Sequence, residues 1–173
     1  RVSGYAAILA ESYGLSLDMV KKIRLYASLH DVGKVGIPDH ILKKEGLYTP
    51  EEYEIMKKHV EIGYNMLNNK DVDEVVKNII LYHHEKWDGS GYLKGLSKEQ
   101  IPIEARIVTL ADVFDALTTK RVYKPAFDNE KAFSIIQEEK GKHFDPAIVD
   151  LFFHDIEKIL AIQKKYSTES NDN

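Results

Sequence analysis

The sequence predicts an all-α domain built as a single helical bundle. Three observations support this prediction. Apolar residues recur at spacings of three and four along most of the chain, whereas the alternation typical of strands is rare. Capping residues and glycines divide the chain into segments of helical length. Several histidines and aspartates lie on the apolar faces of these segments, where core residues are expected.

Composition limits the domain organisation and the partners. A chain of 173 residues, 43% of them hydrophobic, suits one domain with a substantial core. We predict that domain over residues 1–166, followed by a polar, disordered tail over 167–173. The net charge of −4 with mixed signs gives no reason to expect long nucleic acid as a partner. Without cysteine, disulfides and thiolate metal sites are excluded, and a cytoplasmic location is expected.

No apolar run reaches the roughly 18 residues needed to span a bilayer, so we expect no membrane contact from this segment.

The first helix is predicted over Val2–Tyr13 and stops at Gly14. It begins without a capping residue, so we expect the natural protein to extend upstream. Ser16 is the predicted N-cap of a second helix that continues to Gly33. One face of this helix carries Val20, Ile23, Ala27 and His30.

Two capping patterns predict the next helices. Thr49, followed by proline and two glutamates, should begin a helix that continues to about Leu67. The acidic segment 71–74 should begin another, whose apolar stripe leads directly into His83. Between residues 85 and 102 the periodicity stops, and three glycines predict a long loop.

A further helix is predicted from about Ile103. Asp112 and Asp115 lie on it at the spacing of its apolar residues, so both carboxylates should face the core. Two more helices are expected, one after Asp128 and one after Asp145.

Ligand-type residues fall on or at the ends of separate predicted helices. A lone histidine on an apolar face is usually a structural residue, but six such groups are costly to bury without a cation, at roughly 1–3 kcal/mol for each unpaired polar group. A shared metal centre removes this cost. The predicted ligands are His30, Asp31, His59, His83, His84 and Asp112.

Adjacent residues on a helix point about 100° apart, so His30 and Asp31 suit a centre of two ions better than one side of a single ion. Asp31 is the predicted bridge between ions that lie roughly 3.5–4 Å apart. Nitrogen and oxygen ligands suit transition metals. We expect two ions, iron or manganese first and zinc or nickel as alternatives, whereas magnesium alone is a poor match.

Three motifs resemble one enzyme family. Residues 30–34, His-Asp-Val-Gly-Lys, match the hallmark of the HD superfamily of metal-dependent phosphohydrolases. Residues 83–92, His-His-Glu-Lys-Trp-Asp-Gly-Ser-Gly-Tyr, resemble the signature of its HD-GYP subfamily, the cyclic di-GMP phosphodiesterases. Residues 106–118 and 121–124 are similar to the later helix and loop of the same family. The resemblance covers nearly the whole chain.

The resemblance implies an HD-domain bundle with the metal site in its core. It implies catalytic roles for Asp31, as a ligand of both ions, and for Lys34, whose ammonium group would neutralise charge on the phosphate. Glu85 and Asp88 are expected to shape the loop. The residues expected to contact substrate are Lys34, Tyr92, Asp115, Arg121 and Lys124, with Tyr92 and Trp87 as candidates for stacking on guanine and Asp115 also as an orienting residue for a ligand.

Two features depart from the family pattern. Leu93 replaces the proline of the signature, which removes a fixed φ from the loop. In relatives with three metals, a glutamate and a histidine come from positions that precede Arg1 here. A third ion is therefore expected only if upstream residues contribute.

The expected reaction is hydrolysis of cyclic di-GMP to linear pGpG, or further to GMP. The family resemblance also implies an upstream regulatory domain and a homodimer. Three alternatives remain open. They are an HD phosphohydrolase for another nucleotide or cyclic dinucleotide, a catalytically weak cyclic di-GMP sensor, and a protein-interaction domain. The full ligand set argues against the last of these.

Overall fold

The structure is a computed structural model that describes residues 1–67, 71–119 and 126–169, with side chains as far as residue 166. Within these ranges the secondary structure is helical and contains no β-strand, which confirms the all-α prediction. No helix in the described ranges is both long and apolar enough to cross a membrane. The α-helices are α1 (Val2–Ser12), α2 (Leu17–Tyr26), α3 (Asp39–Leu42), α4 (Pro50–Lys57), α5 (His59–Leu67), α6 (Glu74–Tyr82), α7 (Ile103–Thr118), α8 (Asn129–Glu138), α9 (Pro146–His154) and α10 (Ile156–Glu169).

The predicted helix starts carry the predicted caps. Ser16 accepts a hydrogen bond from the Met19 backbone N–H at the start of α2. Thr49 and Glu52 form a reciprocal capping box at the start of α4. The carboxylates of Asp128 and Asp145 cap α8 and α9, whereas α6 is capped by Asp73, two residues after the Asp71 that the capping-box pattern indicates. These bonds satisfy amides that have no partner inside the helix, so they fix where each helix begins.

The main core lies around α1, which contacts α2, α7, α9 and α10. Tyr5 of α1 meets Phe114 of α7 edge to face, with ring centroids 5.3 Å apart, and Phe114 meets Phe152 of α9 at 5.0 Å. All three side chains are fully buried. Burial on this scale stabilises the bundle by about 1.5–3 kcal/mol for each large side chain.

Three predicted helices differ from the observed ones. The helix predicted to run from Ser16 to Gly33 ends at Tyr26 and is followed by 3₁₀ helices at Ala27–Leu29 and Val32–Gly36. The helix predicted from Thr49 to Leu67 breaks at Lys58 into α4 and α5. The last predicted helix breaks at Asp155 into α9 and α10.

The predicted tail overlaps the last helix. The tail was expected from residue 167, but α10 continues to Glu169. Residues 170–173 lie outside the described part of the chain. The division into one domain over 1–166 and a tail stays a prediction.

Candidate metal centre

Asp31 lies at the centre of the predicted ligands. It follows the first 3₁₀ helix and precedes the second. Its Oδ2 lies 3.4 Å from His30 Nε2, which is also 3.4 Å from Asp112 Oδ1. Its Oδ1 lies 3.3 Å from His59 Nε2 and 3.8 Å from His83 Nε2. The two carboxylate oxygens therefore face two different groups of ligands.

The sixth predicted ligand, His84, lies with the ligands that face Asp31 Oδ1, which we call the Oδ1 group. His84 Nε2 lies 3.2 Å from His59 Nε2. Ligand atoms from Asp31, His59, His83 and His84 all lie within 4.8 Å of one another. The structure thus brings all six predicted ligands together, with His30 and Asp112 on the Oδ2 side of Asp31 and three histidines on the Oδ1 side.

Three of the histidines are oriented by hydrogen bonds to carbonyls one turn earlier. His30 Nδ1 lies 2.6 Å from the Ala27 oxygen, His59 Nδ1 lies 2.7 Å from the Met56 oxygen, and His83 Nδ1 lies 3.0 Å from the Ile80 oxygen. A carbonyl only accepts, so each Nδ1 must carry the proton. The Nε2 atoms, which face Asp31, are then the atoms free to bind a cation.

The breaks in the predicted helices explain how these carbonyls become available. In a continuous helix the Met56 carbonyl would accept from the amide of Val60. The α4–α5 break at Lys58 instead leaves it facing the ring of His59. His30 follows a 3₁₀ helix and His83 follows α6, so their carbonyl partners also lie at helix ends. Each of these histidines therefore lies where the series of helical backbone hydrogen bonds ends.

The donor atoms fit a divalent cation. His30 Nε2, Asp31 Oδ1 and His83 Nε2 are buried and have no hydrogen-bond partner among the described residues. Buried polar atoms without partners cost free energy, and cations bound on the two sides of Asp31 would satisfy all three. Imidazole nitrogens with carboxylate oxygens are ligands for transition metals. The cluster is thus a candidate site for divalent metal binding.

The charges of the cluster also fit a cation. Burial disfavours a charged Asp31, but His30 and His83 beside it hold the pKa of the carboxyl below its usual range. Burial lowers the pKa of His84, and the neighbouring His83 and His59 lower it further. Burial likewise lowers the pKa of His59. An ionised carboxylate and neutral imidazoles are the protonation states that metal binding requires.

His30 differs from these two histidines. Burial lowers its pKa, but the carboxylates of Asp112 and Asp31 outweigh burial and raise it to about 10. The space between these two carboxylates therefore favours a positive charge, whether a proton or a metal ion provides it.

A pocket of about 280 Å³ opens beside the Oδ1 group. Lys34 lines this pocket, and its ammonium lies 2.5 Å from Asp31 Oδ2. Tyr92 lies across it, with its ring stacked on His84 at a centroid distance of 4.7 Å. The other lining residues are Leu42, Tyr48, Met56 and His59.

Of the remaining predicted substrate contacts, the structure describes Asp115. Asp115 pairs with Arg1, whose Nε is 2.6 Å from Oδ1, and the same guanidinium donates to the Thr119 hydroxyl at 2.7 Å. Arg121 and Lys124 lie outside the described residues. The substrate roles of Asp115, Arg121 and Lys124 stay predictions.

Glycines allow the close approach of backbone segments around the cluster. A Cβ on Gly33 would lie 1.9 Å from the carbonyl oxygen of His59, and one on Gly91 would lie 2.5 Å from that of His84. These positions exclude every other residue, because backbone atoms are in the way. The two glycines thereby let the backbone segments that carry His59 and His84 pack closely against the chain at residues 33 and 91.

The loop after His84 is tied to the rest of the fold. Glu85 accepts a bond from the Lys94 amide at 2.6 Å, and Asp88 accepts one from the Ser90 amide at 2.9 Å, so both have the loop-shaping positions expected of them. The Trp87 amide donates to the His143 carbonyl, and the Arg106 guanidinium lies over the Trp87 ring at 5.7 Å.

Sequence reasoning missed two residues that contact the Tyr92 ring. Tyr53 contacts the Tyr92 ring edge to face at 6.1 Å, and the Lys57 ammonium lies 5.7 Å from the centre of that ring. Their spacing of four residues on α4 could have indicated that the two side chains lie together, because residues four apart share one face of a helix.

Comparison with known proteins identifies the family. Residues 1–148 match the family described as HD domain, so the chain belongs to the HD domain family. A protein of Thermotoga maritima named cyclic di-GMP phosphodiesterase is 42% identical over 171 residues, which are 98% of this chain and 46% of that protein. A protein of Vibrio cholerae named 3′3′-cGAMP-specific phosphodiesterase 2 is 44% identical over 165 residues, 94% of this chain and 32% of that protein.

A solved structure also matches the fold. Bd1817, described as a HDG"Y"P protein from Bdellovibrio bacteriovorus, aligns with a TM-score of 0.68 and 25% identity over 90% of this chain and 51% of that chain. The resemblance inferred from the motifs is therefore confirmed. The chain spans about half or less of the length of the relatives it matches.

Proposed function

We propose that this chain is the catalytic domain of a metal-dependent phosphodiesterase that hydrolyses cyclic di-GMP to linear pGpG, or further to GMP. The observation that carries the proposal is the position of Asp31, whose two oxygens face His30 on one side and His59 on the other. This arrangement suits a carboxylate that bridges two ions. The names of relatives, including the Thermotoga maritima protein, support cyclic di-GMP as the substrate.

The proposed metal content is two transition-metal ions, iron or manganese first and zinc or nickel as alternatives. His30 and Asp112 would hold one ion, and His59, His83 and His84 the other, with Asp31 shared. When bound, such ions polarise the phosphoryl group and lower the pKa of a water molecule toward neutrality. Hydrolysis breaks one P–O3′ bond and leaves the phosphate on the 5′ oxygen, which gives linear pGpG.

The residues of the chain supply position and charge. Lys34 lies at the pocket, where its ammonium can neutralise a phosphate oxygen as negative charge develops. The pocket volume of about 280 Å³ is near the lower end of the roughly 300–1,000 Å³ typical of ligand sites, so we expect it to take one phosphate and part of its nucleoside. Arg121 and Lys124 are proposed to hold the rest of the anionic ligand. A cytoplasmic location, an upstream regulatory domain and a homodimer stay predictions from the sequence.

The direct test is product analysis. Protein loaded with Mn²⁺ or Fe²⁺ is incubated with cyclic di-GMP, and the nucleotides are separated by chromatography. We expect pGpG to accumulate and the chelator-treated protein to be inactive. Ligand that binds but returns intact from fully loaded protein would instead identify a sensor, and the proposal of hydrolysis would be wrong.

A second candidate substrate is 3′3′-cGAMP. The observation that favours it is the Vibrio cholerae relative, 44% identical, that carries this specificity in its name. Parallel assays with both dinucleotides under the same metal load decide between them, since the preferred substrate will have the higher kcat/KM.

A further inference from the structure

His84 differs from the other histidines of the cluster in what orients its ring. His30, His59 and His83 each have a backbone carbonyl beside Nδ1. Among the described residues, no such carbonyl lies beside Nδ1 of His84. The Tyr92 ring lies against it instead, with the two ring planes inclined by only 22°.

Tyr92 is itself held firmly beside His84. Its backbone amide donates to the His84 carbonyl at 3.2 Å, which closes the loop between the two residues. Gly91 lets the chain pass this close, because a Cβ there would meet the backbone of residues 84–86 at 2.5 Å. The stack is thus built into the backbone path of the loop.

Two α4 side chains contact the Tyr92 ring. Tyr53 meets it edge to face, and the Lys57 ammonium lies 5.7 Å from its centre. Lys57 is in turn paired with Glu54, with its Nζ 2.5 Å from Oε1. Aromatic pairs and cation–π contacts each favour one ring orientation.

We propose that Tyr92 is a positioning residue that orients the His84 ring for metal binding, in place of the hydrogen bond that orients the other three histidines. A flat ring packed against the imidazole limits its rotation about χ2. The face of Tyr92 that covers His84 is not available to a guanine base. The inference rests on the proposed metal centre, but not on the identity of the nucleotide.

The geometry also assigns the effect to one ion. His84 belongs to the group on the Oδ1 side of Asp31, whereas His30 and Asp112 lie on the Oδ2 side. Loss of the stack should therefore weaken one metal-binding step and leave the other close to its original affinity.

Calorimetric titration of the metal-free protein with Mn²⁺, without nucleotide, tests this inference. Tyr92→Leu should weaken one of the two binding steps by roughly 10–100-fold, as is typical when a group that orients a metal ligand is lost. Tyr92→Phe, which keeps the flat ring, should restore the affinity of the parent. Tyr13→Leu, at an exposed tyrosine outside the site, is the matched control and should bind Mn²⁺ as the parent does.

Unchanged Mn²⁺ affinity in a folded Tyr92→Leu protein would overturn the inference, and a raised KM with unchanged kcat would then place Tyr92 on the substrate.

Circular dichroism checks whether the variants are folded. If the leucine variant is unfolded, Tyr92→Met fills the space without a flat ring and answers the same question. In the parent, the Tyr92 ring current should also shift the His84 ring protons upfield, and unshifted resonances would contradict the stack. Because the Mn²⁺ titration and the proton spectra contain no nucleotide, failure of cyclic di-GMP hydrolysis leaves their results unaffected.

Discussion

His59 and His84 point their Nε2 atoms at each other across 3.2 Å. His59 donates its Nδ1 proton to the Met56 carbonyl, so its Nε2 carries a lone pair when the ring is neutral. Burial lowers the pKa of both rings and so favours their neutral forms. Two neutral imidazoles that converge in this way, beside the ionised Asp31, form an arrangement that a cation stabilises.

The first prediction concerns metal content. Protein purified without chelator should carry close to two transition-metal ions per chain, measured by elemental analysis. Removing them should lower the midpoint of thermal unfolding, because ligands that bind only the folded state stabilise it. A sample prepared in this way that contains no metal would refute the assignment of the cluster.

The second prediction concerns Asp31. Asp31→Ala should lose both ions and turnover together, since one carboxylate faces both groups of ligands. Asp39→Ala, at an exposed aspartate paired with Lys43, is the matched control and should keep both ions. If Asp31→Ala retained the parent's metal content and rate, the bridging role would be wrong.

The third prediction concerns Lys34. Lys34→Ala should retain both ions but lower kcat by roughly 10²–10³-fold, because its ammonium is assigned to developing charge and not to coordination. Steady-state kinetics and elemental analysis on the same sample separate these effects. The exposed Lys43→Ala is the control. A variant that lost metal while its loaded form kept the parent's kcat would contradict the assignment.

The fourth prediction concerns Gly33. Its absent side chain lets the second 3₁₀ helix contact α5, and a Cβ would lie 1.9 Å from the His59 carbonyl oxygen and 2.4 Å from the Gly63 nitrogen. Gly33→Ala should lower the free energy of unfolding by about 3 kcal/mol or more, measured by urea denaturation. Gly46→Ala has open space but a φ of +93°, so we expect a loss of only about 1–2 kcal/mol. Equal losses at the two sites would argue against the tight contact.

The fifth prediction concerns pH and His143, which stacks on Phe144 outside the metal cluster. Burial, aided by Lys86 and opposed by Asp88, lowers the pKa of His143 to about 4. Between the ordinary histidine pKa of about 6.5 and this value, the unfolded chain binds a proton that the folded chain does not. Stability should therefore fall as the pH drops through this range.

The variant His143→Gln isolates that contribution. Its free energy of unfolding, measured with metal bound, should depend less on pH between about 6.5 and 4, by up to about 1.4 kcal/mol per pH unit for a single proton. Identical pH dependence in the two proteins would show that His143 takes up its proton equally in both states.

The sequence could indicate which candidate ligands would converge, because most of them continue an apolar face or lie in a recognisable motif. His83 follows the stripe of α6, and Asp112 lies one turn after Val108 on α7. Local spacing could thus place these side chains on the core side of their helices. Local capping patterns likewise gave the starts of α2, α4, α6, α8 and α9.

The sequence did not predict where the helices break. Lys58 and Asp155 are neither glycine nor proline, so no local signal marks them as ends. At Lys58 the break accompanies the bond from the His59 ring to the Met56 carbonyl, which competes with the helical ladder. The Arg1–Asp115 pair and the Tyr53–Tyr92 contact join distant segments, so they depend on tertiary packing that spacing along the chain does not encode.

The glycine-rich loop after His84 contains no α-helix or strand, yet its backbone is anchored at several points. The Tyr92 amide bonds to His84, the Lys94 amide to Glu85, the Trp87 amide to His143 and the Lys98 amide to Trp87. Such anchors remove conformational freedom during folding, before any ligand arrives. Binding of a nucleotide here therefore requires little further ordering of the loop. The loss of conformational entropy on binding is small, so more of the free energy of the contacts appears as affinity.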